Sequence, residues 1–116
     1  MLTQTLLQRQ FNFANDIRSL LNYAFAYGFH MSLKECLRAP EMEKIYKDEG
    51  KSWLTNPADD YHLYSLAFDI CFFVGNDWIQ DYVSLKVLGN YWTSLRQGNV
   101  WGGDWSVRDL LHFQGV

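Results

Sequence analysis

The chain has 116 residues, 48% of them hydrophobic and 17% aromatic, which is enough apolar material for one packed domain, residues 1–116, and excludes a disordered chain. A net charge of -3 without a lysine or arginine cluster argues against nucleic acid as the partner. The leucines of the first eighteen residues are interrupted by Gln, Asn, Arg and Asp, so a secretory h-region is missing, and no stretch approaches a membrane span. The expectation is a protein made in the cytosol with no membrane partner, its Cys36 and Cys71 present as free, buried thiols.

In chain order, Ile17, Leu20, Leu21, Ala24 and Phe25 follow helical spacing, and Gly28 stands where a C-terminal cap belongs, predicting a long helix from about Thr5 to Tyr27. The next run, Phe29 to Leu37, alternates as a strand, with Met31, Leu33 and Leu37 on one side and Glu35 as a polar exception. Arg38-Ala39-Pro40-Glu41 breaks it, and Pro40 is placed to open a short helix through Ile45 and Tyr46. A polar loop, Lys47 to Asp60, follows; loops of that length in a small domain are often functional.

The run Leu66 to Phe73 reads as a strand with a carboxylate, Asp69, set among apolar residues. Val74-Gly75-Asn76-Asp77 reads as a turn and Trp78 to Leu95 as a helix with Gly89 inside or ending it. The Gly- and Trp-rich tail ends in a short strand. Helices and strands segregate without a βαβ repeat, so the expected class is α+β, a small, mainly antiparallel sheet packed with helices.

A desolvated carboxylate such as Asp69 needs a cation, a donor or a metal. Two of the three histidines have a carboxylate close by in sequence, His62 with Asp69 and His112 with Asp109. Zinc takes histidine nitrogens and a carboxylate oxygen and leaves a position for water, and His62, Asp69 and His112 make such a set. A core histidine bonded to an aspartate accounts for either pair taken alone. Seven residues of separation put His62 and Asp69 on opposite faces of one straight strand, so both reach one metal only if His62 lies in the loop before it. Asp109 likewise belongs in a turn before the strand of His112, and the glycines of Trp101-Gly102-Gly103-Asp104 suit such a turn.

Asp60-Tyr61-His62-Leu63-Tyr64-Ser65-Leu66-Ala67-Phe68-Asp69 resembles the Ser-x-His-x-x-Gly-x-Ala-x-Asp pattern of the M15 (VanY/VanX-like) zinc peptidases, and Asp109-Leu110-Leu111-His112 resembles their carboxylate-x-x-His pattern. Arg38-Ala39-Pro40-Glu41, Gly50-Lys51-Ser52, the Leu88-to-Leu95 helix and Trp101-Gly102-Gly103 extend the likeness to short phage and prophage members over nearly the whole chain. Asp60 replaces the family serine and Ser65 the family glycine. The resemblance implies a Hedgehog/D-Ala-D-Ala peptidase-like fold, Zn2+ held by His62, Asp69 and His112, Asp109 as general base and Arg38 as a substrate or oxyanion contact. It also implies a monomeric endolysin that cuts the peptide stem of peptidoglycan, the L-Ala–D-Glu bond first, acting on the periplasmic wall after release. A D-Ala-D-Ala carboxypeptidase or dipeptidase is the alternative enzyme, and a noncatalytic wall-binding module is the rival from another class. Trp101 and Trp105 are expected as walls of a cleft or core, His30 as structural or exposed, and Lys51 and Ser52 in a loop that either faces substrate or is simply solvated.

Overall fold

The computed structural model describes residues 4–35 and 64–116, with the side chain of Glu35 excluded. The first helix, α1 (Leu6–Tyr27), begins at a reciprocal cap in which Thr5 accepts from the Gln8 amide and the Gln8 side chain accepts from the Thr5 amide. It ends at Gly28, whose φ of 107° lets its N–H turn back onto the carbonyls of Ala24 and Phe25, as the spacing predicts.

Strand β1 (His30–Glu35) pairs antiparallel with β2 (Ala67–Val74), and the register shifts between Leu33 and Glu35. Met31 packs against the core, but Leu33 is 52% exposed, so the apolar side expected of this strand does not extend to Leu33. Gly75 and Asn76 then turn the chain into β3 (Asp77–Ile79), which pairs with the end of β2. Gly75, at φ 61°, occupies the first turn position, where a two-residue hairpin needs a left-handed residue.

Trp78 and Ile79 are therefore strand, which corrects the expected start of the second helix. The helix α2 spans Tyr82–Leu95 and starts where Asp81 accepts from the Ser84 amide. It runs through Gly89, where a Cβ would collide with the Trp101 ring; the missing side chain lets Trp101 pack against the helix. Strand β4 (Val100–Trp101), a 3-10 turn at Gly102–Asp104 and strand β5 (His112–Gln114) complete the sheet, in the order β1-β2-β5-β4 with β3 also on β2.

Both helices bury their apolar stripes against the sheet. Phe13, Ile17, Leu20 and Ala24 of α1 and Leu85, Leu88 and Trp92 of α2 meet Ile70, Phe72, Trp101 and Phe113. The Phe113 ring lies 5.9 Å from both Phe72 and Trp92, in edge-on contacts. One polar network crosses this packing: buried Asp16 of α1 accepts from Arg96 Nε at 2.9 Å and from Asn99 Nδ2 at 3.2 Å, tying α1 to the end of α2. The expected α+β class with an antiparallel sheet packed against helices is what the chain forms.

Candidate metal centre

Alternation along β2 explains how a carboxylate survives among so many apolar neighbours. Ile70 and Phe72 point into the core, so Asp69, one residue out of phase, belongs to the opposite face of the sheet. The same rule divides β5: Phe113 faces the core, and His112 and Gln114 share the other side. The β2–β5 register then sets Asp69 directly opposite His112. Their side chains meet with Asp69 Oδ1 3.5 Å from His112 Nδ1.

Asp109 joins them from the turn before β5, where the sequence placed it. Its N–H donates to the Gly102 carbonyl at 2.9 Å, and its own carbonyl accepts from the His112 amide. Ligand atoms of Asp69, Asp109 and His112 all lie within 4.8 Å of one another. Two carboxylates and one imidazole this close, with His112 buried, form a donor set suited to a divalent cation such as zinc. The far ring nitrogen, Nε2, lies 2.9 Å from Gln114 Oε1. Trp105 rests on the imidazole with ring centroids 4.9 Å apart, whereas Trp101 is 1% exposed and belongs to the core.

The segment that carries Trp105 and Asp109 is braced on α2. Asp104 accepts from Lys86 Nζ at 2.6 Å and from the Tyr82 hydroxyl at 2.9 Å. Arg108 lies over the Tyr82 ring, 3.7 Å from its centroid, and donates to the Gly103 carbonyl. The hydrogen bond from Lys86 holds the Asp104 carboxyl below its ordinary range, and the same bond raises the Lys86 ammonium. Cys71, on β2 two residues beyond Asp69, is a free buried thiol pushed up chiefly by burial.

Of the residues singled out in the sequence, Asp69, Asp109 and His112 come together. His62, Arg38, Cys36, Lys51 and Ser52, and with them the expected short helix and long loop, lie outside the described residues. His30 is exposed at the start of β1. Sequence reasoning missed Gln114 and the Lys86–Asp104–Tyr82–Arg108 brace. The two-residue step from His112 to Gln114 within a strand was the available signal for the first; the brace joins residues far apart in sequence and left none. Ser65 has a φ of 54°, a left-handed conformation that accounts for glycine in the family pattern at this position.

The chain is thus an α+β domain with helices packed on one face of an antiparallel sheet and a carboxylate–imidazole cluster on the other. The family model described as D-alanyl-D-alanine carboxypeptidase, of peptidase family M15, matches residues 55–115. The chain belongs to that family and is a peptidase. No curated protein matches the sequence. Its fold is similar to the crystal structure of the Serratia marcescens L-Ala D-Glu endopeptidase ChiX, with a TM-score of 0.67 and 18% identity over 98% of this chain and 90% of that one.

Proposed function

We propose that the protein is a zinc-dependent peptidoglycan peptidase that hydrolyses an amide of the wall peptide stem, with the L-Ala–D-Glu bond as its substrate. The observation that carries this reading is the convergence of Asp69, Asp109 and His112 within 4.8 Å on the face of the sheet away from the helices. Asp69 and His112, with His62, would hold the ion. Zinc bound there supplies Lewis acidity toward the scissile carbonyl and acidifies water to a pKa of about 7. Asp109, on the turn beside His112, accepts the proton of the attacking water on a carboxylate oxygen and returns it to the departing amine nitrogen. Arg38 is assigned to a substrate carboxylate or the developing oxyanion, for which its planar fork of donors is suited.

The structural likeness to an L-Ala D-Glu endopeptidase spans nearly the full length of both chains and favours that bond. The family description favours the alternative, cleavage at D-Ala–D-Ala. We read the chain as a monomeric lysis enzyme of the phage type that reaches the periplasmic wall after release; no described helix is long and apolar enough to cross a membrane.

Mass spectrometry of purified peptidoglycan after digestion tests the function. A newly exposed D-Glu amine supports the endopeptidase, free D-Ala transfers the assignment to the carboxypeptidase, and unchanged peptidoglycan leaves only a wall-binding module. The roles separate in two variants. Asp69→Ala should lose zinc, and Asp109→Ala should keep it while losing roughly 10²- to 10⁴-fold in rate. Zinc lost from the Asp109 variant, or fully retained in the Asp69 variant, would overturn the division of roles.

A further inference from the structure

We propose that Gln114 is a positioning residue that holds the His112 proton on Nε2 and thereby keeps the Nδ1 lone pair directed at the metal position beside Asp69. The inference deepens the metallopeptidase reading and rests on it for the identity of the ion. An imidazole can ligate only through an unprotonated nitrogen, and which nitrogen that is follows from the bond made by the other. Here Nε2 is 2.9 Å from Gln114 Oε1, an ordinary hydrogen-bond length. Nδ1 is 3.5 Å from Asp69 Oδ1, too long for a good N–H···O bond and on the side where the carboxylates converge. The shorter contact, Nε2 to Gln114 Oε1, favours the tautomer protonated at Nε2.

Gln114 is well placed for this task. It follows His112 by two residues in β5, so both side chains leave the same face. Its backbone is held by pairing with Ala67 and Val100, and its carbonyl accepts from the buried Trp92 indole at 3.1 Å. Ala67 lies directly opposite, and its short methyl group is too small to compete with the glutamine for the space toward His112. Trp105 covers the imidazole. The glutamine amide has two orientations with opposite consequences. With oxygen toward Nε2 it accepts the imidazole proton; with nitrogen toward Nε2 it would donate and drive that proton to Nδ1, closing the ligand position.

The test reads the proton without metal or substrate. In metal-free protein labelled with ¹⁵N at histidine, long-range proton–nitrogen correlations taken where the imidazole is neutral should show His112 protonated at Nε2, the signal being assigned by its absence in His112→Gln. Gln114→Met, similar in size but lacking the acceptor, should move proton population to Nδ1 and weaken zinc affinity roughly 10- to 100-fold in competition with a chelator. Gln114→Glu, which keeps an acceptor at the same reach, should restore most of both. A wild-type His112 protonated at Nδ1 overturns the proposal with no variant needed, as does zinc affinity equal in wild type and Gln114→Met. Failure of wild type to bind zinc would instead overturn the metallopeptidase reading, while the proton position, measured without metal, still decides whether Gln114 holds the ring.

Discussion

Replacing Gly102 by alanine should disable the site from beneath, with every assigned ligand and the base still in the sequence. Gly102 is buried, and a Cβ built on it would lie 2.5 Å from the Asp109 carbonyl oxygen, 3.0 Å from His112 Cβ and 3.1 Å from Asp109 Cβ. Ordinary contact begins at 3.4 Å, so the Asp109 backbone must retreat by about 0.9 Å and His112 by a few tenths. The retreat also strains the bond from the Asp109 N–H to the Gly102 carbonyl and the turn bond from the His112 amide to Asp109. Overpacking of this kind costs ~1–3 kcal/mol, a fall in Tm of roughly 4–12 °C for a chain of this size. Displacement of a reacting group by about 1 Å costs about 10²-fold in turnover. The assay is hydrolysis of purified peptidoglycan per folded molecule, with zinc content and thermal melting measured on the same samples. Gly75→Ala is the control: its φ of 61° also resists a side chain, but nothing lies within 4 Å, so it should lower Tm and leave turnover intact. Wild-type turnover per folded molecule in Gly102→Ala would refute the claim that this contact sets the positions of Asp109 and His112.

Ser65→Gly should raise stability by roughly 0.5–1 kcal/mol in denaturant melts, because it relieves a side chain held at φ 54°; an unchanged or lowered midpoint would contradict this. Arg96→Ala should cost about 2 kcal/mol, since it strips two hydrogen bonds from the buried Asp16 carboxylate, and Asp16→Asn in the same background should recover part of the loss. The Asp104 carboxyl is held below its ordinary 3.8, so its contribution is present above about pH 4 and disappears as pH falls through the lower folded value. Wild type should therefore exceed Asp104→Asn in unfolding free energy at pH 7 by less than ~1 kcal/mol, because the pair is partly exposed, with the gap closing as pH falls below 3.8. Zinc should co-purify near one per chain, and a strong chelator should abolish hydrolysis that added zinc restores; undiminished hydrolysis by metal-free protein would remove the metal from the reading.

Local patterns in the sequence were sufficient for α1, its glycine cap, the Gly75 turn and the α+β class, and they carried the resemblance that points to His62, Asp69, His112, Asp109 and Arg38, of which the described residues bring Asp69, Asp109 and His112 together. Those features rest on spacing within a single segment or on short motifs, and such information is carried by neighbouring residues. The start of α2 was not legible in the same way. Trp78 and Ile79 fit a helical stripe, but pairing with Phe73 and Phe72 at the edge of β2 claims them for the sheet. Gly89 was equally ambiguous until Trp101 was seen to fill the space its side chain would take. Tertiary structure alone decided the register that sets Asp69 opposite His112, because a shift of one residue would turn either side chain to the core face. The same register puts Gln114 beside His112 and Ala67 opposite Gln114, and the packing of the 102–109 segment on α2 brings Asp109 to both. The residue types suited to the chemistry were written in the chain; their convergence depends on pairings between distant segments, which local sequence does not encode.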